Sequence, residues 1–118
     1  ITTSCYAATN AELISGKPQA LPVNGTVTFL DIGAHKCIPC KMMAPILEEL
    51  KAEYTGRMDV MFVDAWKNPE EAEMYGVQMI PTQIFYNTEG RELFRRTGFI
   101  GKADILAKWL ELGYDFSK

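Results

Sequence analysis

The sequence offers no second cysteine pair to match Cys37 and Cys40, and it has one histidine, His35. Cys5 is the only other cysteine, so a scaffold held by several disulfides is excluded. A zinc site needs four ligands, usually two such pairs, and only His35 and the distant Cys5 remain to complete one. Lysine and arginine form no run either. A formal net charge of -3 and a pI of about 5.1 leave no basic face for a phosphate backbone, and nucleic acid is not expected as a partner. Apolar runs end after a few residues, far short of the roughly 20 that cross a bilayer, so no stable membrane insertion is expected. Against these absences, 118 residues with 47% apolar composition suffice for one domain whose core needs no staples.

The chain starts weakly. Residues 1–24 mix Thr, Ser, Asn, Gly and Pro, and only AELISG resembles a short helix. The opening ITTSCYAATNAEL has no initiator Met and is rich in small residues, as sequences around a leader cleavage site are. It is read as an N-terminal arm that carries a leader remnant, which favours export to the periplasm over a cytoplasmic location. Cys5 within it is a surface thiol, part of a removed leader, or a lipid-modified cysteine. Residues 25–118 form the folded domain on this reading.

Order is expected from Thr26. TVTFLDI is β-branched, aromatic and apolar, as a strand covered on both faces would be, with Asp31 as its anomaly. After Cys40, Met43, Leu47, Leu50 and Tyr54 recur at spacings of three and four on one helical stripe that Gly56 ends. Pro45 falls inside that stripe and predicts a kink. DVMFVDAW, residues 59–66, reads as a second buried strand. In NPEEAEMYG, Asn68 is a candidate N-cap, Pro69 the first helical residue and Gly76 the stop. PTQIFYN and RELFRRTG flank the turn Thr88-Glu89-Gly90 as a hairpin. A last helix from Lys102 carries Ile105, Leu106, Trp109, Leu110 and Leu112 as its expected buried stripe, with Gly113 beyond its end. The order strand, helix, strand, helix, hairpin, helix predicts a mixed α/β sheet with a right-handed parallel crossover in its first half. No internal repeat and no second domain is visible, and nothing requires more than a monomer.

The stretch HKCIPCKMMAP concentrates the chemistry. If a helix starts at Cys37, the free N–H groups and dipole of its first turn favour a thiolate there. Cys37 is then the nucleophile. Cys40, one turn on, points back along the same face, close enough to bridge and to resolve a mixed disulfide. Lys36, and His35 when protonated, add positive charge that favours the Cys37 thiolate further. A purely structural disulfide would close too small a loop to stabilise much. A metal clip would have to enlist His35 from the strand side of the turn. His35 has no Ser or second His beside it, so its role is expected to be electrostatic rather than general-base.

Taken together, Cys37-x-Pro39-Cys40-Lys41-Met42-x-Ala44-Pro45, Asp31 six residues before Cys37, Ile80-Pro81 followed by Thr82, and the glycines Gly76 and Gly98 resemble the thioredoxin family over about residues 26–112. The resemblance implies the thioredoxin fold, a central mixed β-sheet flanked by helices on both faces. It implies catalysis by Cys37 and Cys40 without a bound cofactor, and a buried Asp31 that accepts the proton of Cys40 when that thiol attacks. It also implies a cis bond before Pro81, beside the cysteines, with the backbone of Ile80 pairing with the substrate chain. The partners it implies are protein disulfides and an electron-donating reductase, membrane-borne if the chain is exported.

Departures from the family matter as well. Lys36 and Gly33 stand where ordinary members carry tryptophans, and Ile38-Pro39 replaces Gly-Pro between the cysteines, placing an apolar side chain in the substrate-binding surface. The family's lysine beside the buried carboxylate is read as replaced by Val60. Without that cation, desolvation is expected to raise the Asp31 pKa. Proline directly before Cys40 resembles reducing members more than strong oxidants, so a reductase is the leading expectation. A disulfide oxidase or isomerase of the same fold, a non-catalytic peptide-binding module and a metal carrier are the competing ones.

Overall fold

A computed structural model describes residues 25–117. The arm before residue 25 therefore lies outside the described residues, together with the expected AELISG helix and Cys5. The elements run β1 (Val27–Gly33), α1 (Ile38–Glu53), β2 (Met58–Asp64), α2 (Pro69–Met74), β3 (Thr82–Tyr86), β4 (Glu92–Thr97) and α3 (Lys102–Glu111).

The four strands form one sheet in the order β2-β1-β3-β4. β1 is central: it pairs parallel with β2 and antiparallel with β3, which pairs antiparallel with β4. All seven of its residues are buried, which is why TVTFLDI carries no polar alternation. Val27 and Phe29 meet Met43, Leu47 and Leu50 of α1 and Ile105 and Trp109 of α3 on one face. Leu30 and Ile32 meet Met61, Val63 and Ala72 of the α2 side on the other. This is the expected mixed sheet with helices on both faces.

The helix α1 continues through Pro45 and buries Cys40, Met43, Leu47 and Leu50. Tyr54 follows as its C-cap, and Gly56 takes a φ of 83° to turn the chain. β2 is shorter than its sequence suggests. It stops at Asp64, whose Oδ1 accepts the N–H groups of Trp66 (2.9 Å) and Lys67 (3.0 Å) and so bends the chain away. Trp66, expected inside the strand, is 60% exposed. Asn68 and Pro69 open α2 as expected, but the Asn68 side chain donates to the Asp64 carbonyl (3.2 Å) instead of capping the helix. In α3, Ile105 and Trp109 are buried, whereas Leu110 faces outward, because a ten-residue helix laid on one face of a sheet buries only a narrow stripe. The hairpin forms as read: Asn87 Oδ1 accepts from Glu89 N (2.8 Å) and Arg91 N (2.9 Å), closing the turn. Among the described residues, no helix is long and apolar enough to cross a membrane.

Candidate active site

Cys37 is the N-cap of α1 rather than its first residue, with extended backbone angles (φ -82, ψ 129). Its carbonyl accepts the first helical bond, from Lys41 N at 2.8 Å, while its side chain caps nothing. The sulfur of a half-exposed residue is thus left beside the unpaired N–H groups of the first turn. Ile38 and Pro39 follow, both exposed, and Lys36 precedes it on the surface. Cys40 is buried under this turn. Both cysteines are free thiols. Burial pushes the Cys40 thiol up to about 12, and its hydrogen bond to Cys37 and the nearby Asp31 add to that rise. Cys40 therefore keeps its proton until it is drawn into reaction.

Gly33 makes room for Cys40. A Cβ at Gly33 would lie 3.0 Å from the Cys40 sulfur and 3.1 Å from its Cβ. An apolar cavity of about 190 Å³, bordered by Leu47, Phe62 and His35, would let the sulfur swing aside, but the Cys40 Cβ is fixed to the helix. Gly33→Ala is therefore expected to cost about 1 kcal/mol by overpacking, measured by urea unfolding of the reduced protein.

Asp31 lies in the middle of β1, fully buried, on the face that carries α1. Burial raises its carboxyl from 3.8 to about 7, against a smaller downward pull from the Gln83 side chain, whose Nε2 donates to Asp31 Oδ1 at 3.0 Å. The residue beside Asp31 on β2 corrects the sequence reading. Phe62, not Val60, pairs with Asp31, and Val60 pairs with Phe29 two residues back. The side chain beside Asp31 on β2 is therefore an aromatic ring, which carries no charge.

His35 does not face Cys37 as a charge donor of first resort. Its Nδ1 bonds to Asp64 Oδ2, its backbone N–H donates to the same oxygen at 3.3 Å, and its ring packs edge-on against Phe62. Burial pushes the Asp64 carboxyl up, but bonds from the Lys67 N–H, the His35 ring and the N–H groups of His35 and Trp66 hold it below the usual carboxylate value. His35 thus joins the end of β1 to the end of β2, and its charge has a nearer partner than Cys37. Lys36 remains an exposed cation next to Cys37.

The Ile80–Pro81 peptide is cis. Thr82 pairs with Ile32, so Pro81 stands level with Gly33, at the sheet end from which the Cys37 turn departs. Pro81 is buried and Ile80 half-exposed. Among the described residues, no group of three or more His, Cys, Asp or Glu could hold a metal ion.

Sequence reasoning passed over Gln83, Asp64 and Phe62. A polar Gln83 inside the apolar run TQIFY was the one legible signal, of the same kind as Asp31 in TVTFLDI. Which strands would bring them together was not written in either run.

Known proteins share this arrangement. The family model Thioredoxin matches residues 20–111. The thioredoxin of Staphylococcus aureus is 41% identical over 91 residues, covering 75% of this chain and 86% of its own. Among solved structures, a malarial protein superposes with a TM-score of 0.69 at 27% identity, over 75% of this chain and 99% of that one. The germline-specific thioredoxin Deadhead of Drosophila melanogaster gives 0.65 at 27% identity, over 75% of this chain and 82% of that one. With the paired cysteines Cys37 and Cys40 at the end of this sheet, this chain belongs to the thioredoxin family and is a thiol–disulfide oxidoreductase.

Proposed function

We propose that the protein reduces disulfides in protein substrates, with Cys37 as nucleophile, Cys40 as resolving thiol and Asp31 as proton acceptor. The observation that carries this reading is the difference between the two thiols: Cys37 half-exposed at a helix start, Cys40 buried above a carboxyl poised at about 7. The Cys37 thiolate attacks one sulfur of the substrate disulfide, forming a mixed disulfide and expelling the first substrate thiolate, which takes a proton from water. Cys40 then passes its proton to Asp31, its thiolate attacks the Cys37 sulfur, and the second substrate thiolate leaves. The substrate has gained two electrons and the protein holds a Cys37–Cys40 disulfide. A separate electron-donating reductase restores the dithiol.

Substrate docking falls to the apolar surface around Cys37. Ile38 and Met79 are each 66% exposed and Trp66 60%, all in loops or a helix start at the same end of the sheet. The backbone of Ile80, before the cis Pro81, offers an edge for an extended substrate segment, while Pro39 and Ile38 give the first turn an apolar contact. Lys36 supplies a positive charge near the reacting sulfur. The reading assigns this chemistry to residues 25–118 and none of it to the arm.

Substrate trapping tests the roles. The reduced Cys40→Ser protein, challenged with a disulfide-bonded substrate, is expected to accumulate a mixed disulfide, and peptide mass spectrometry should find it on Cys37. An adduct that forms instead on Cys40 in the Cys37→Ser protein would reverse the assignment.

A further inference from the structure

Three residues stand directly across from one another on β1, β3 and β4: Asp31 pairs with Gln83, and Gln83 with Arg96. Their side chains are bonded in the same order. Arg96 Nη1 donates to Gln83 Oε1 at 2.9 Å, and Gln83 Nε2 donates to Asp31 Oδ1 at 3.0 Å. Arg96 is itself anchored by the carbonyls of Gly98 (3.0 Å) and Phe99 (3.3 Å). The chain begins at a half-buried cation on the edge strand and ends on a carboxyl with no exposed surface.

This chain has only one polarity. A guanidinium donates hydrogen bonds and accepts none, so the Gln83 oxygen must face Arg96 and the Gln83 NH2 must face Asp31. Asp31 Oδ1 is thereby held as an acceptor, the part that suits the carbonyl oxygen of the carboxyl better than its hydroxyl. Asp31 Oδ2 is buried and has no hydrogen-bond partner among the described residues, which leaves it as the oxygen better suited to carry the proton. We infer that Gln83, held in one orientation by Arg96, is the positioning residue that reserves Asp31 Oδ2 for the proton of Cys40 and sets how readily that proton is taken. The inference rests on the proposed role of Asp31 as proton acceptor and extends it to two residues on neighbouring strands.

Among the described residues, the charged or titratable groups near Asp31 are Cys40 from α1 and, through Gln83, Arg96 from β4, while its pairing neighbour on β2 is Phe62. A bond from Gln83 favours the carboxylate, so its loss makes Asp31 hold its proton to higher pH. Gln83→Leu is expected to raise the midpoint of the Asp31 carboxyl, followed by carbon-13 NMR, by about one pH unit, as expected for a hydrogen bond to a charged group. The rate at which Cys40 resolves a preformed mixed disulfide in single turnover should then fall about tenfold below the midpoint and recover above it. Arg96→Met, a change on the partly exposed edge strand, should shift both midpoints the same way by less, because the Gln83 amide becomes free to turn. The double variant should match Gln83→Leu alone.

A merely structural Gln83 would lower stability without moving either midpoint. An Asp31 carboxyl that titrates at the wild-type midpoint in Gln83→Leu, or in Arg96→Met should the first variant not fold, overturns the inference and leaves the role of Asp31 standing. A pH profile of the resolving step that Asp31→Asn leaves unchanged overturns the role of Asp31 itself.

Discussion

Asp31→Asn should make the protein more stable than the wild type at pH 8, by roughly 4 kcal/mol, and the gain should vanish as the pH is lowered to 4. The cause is burial: the folded protein holds the Asp31 proton up to about pH 7, whereas the unfolded chain releases it near 3.8. Between those values the native state binds a proton that the unfolded state does not, so wild-type stability falls as pH rises through this window. Above pH 7 both states are ionised and the full cost of a buried carboxylate remains. Asparagine has the same shape, can still accept from Gln83 and carries no charge. Urea unfolding of both proteins from pH 4 to 8 measures the gap, and parallel stability curves would contradict the account. The same substitution should slow the resolving step by about a hundredfold, the usual size of a lost general base. A residue whose removal stabilises the fold and slows the reaction is kept for the reaction.

The second large effect is the reverse: activity lost with the fold intact. Cys37→Ser is expected to reduce turnover with a disulfide substrate such as insulin to the uncatalysed background, because a serine hydroxyl does not ionise at neutral pH and cannot form the mixed disulfide. Stability should be unchanged or slightly greater, since Cys37 is a half-exposed N-cap that makes no side-chain cap bond and serine is a favoured residue there. Turbidity of reduced insulin and urea unfolding report the two properties separately. Retained biological activity in Cys37→Ser would favour a peptide-binding module over an oxidoreductase cycle.

The elements were legible because each obeys a local rule. Continuous apolar runs marked β1 and most of β2, a three-and-four spacing marked α1, and Asn68-Pro69 with Gly76 bounded α2. Where local rules failed, a tertiary bond decided. β2 ends at Asp64 because that carboxylate turns the next residues, and no propensity forbids Ala65 and Trp66 from a strand. Leu110 looked like core because helical spacing alone does not say how wide a stripe the sheet covers.

The candidate site was legible in its cysteine pair, and Asp31 stood out as a carboxyl inside an apolar strand, while its role came only from the family resemblance. Its supporting residues depend on register, which sequence does not print. A shift of two residues along β2 separates Val60 from Phe62 as the neighbour of Asp31, and both are apolar, so nothing in the run distinguishes them. The link from Gln83 to Arg96 likewise requires the antiparallel pairing of β3 with β4. His35 read as a loose loop residue until β2 brought Asp64 to it.

The reduction potential of the Cys37–Cys40 couple tests the central claim most directly, by equilibration in glutathione or dithiothreitol buffers and mass spectrometry of trapped thiols. The account predicts a value on the reducing side, near the roughly -270 mV of thioredoxin, at which the dithiol gives its electrons to protein disulfides. A value near the roughly -120 mV of a strong oxidant, or the roughly -180 mV of an isomerase, would contradict it and make the protein a donor or reshuffler of disulfides.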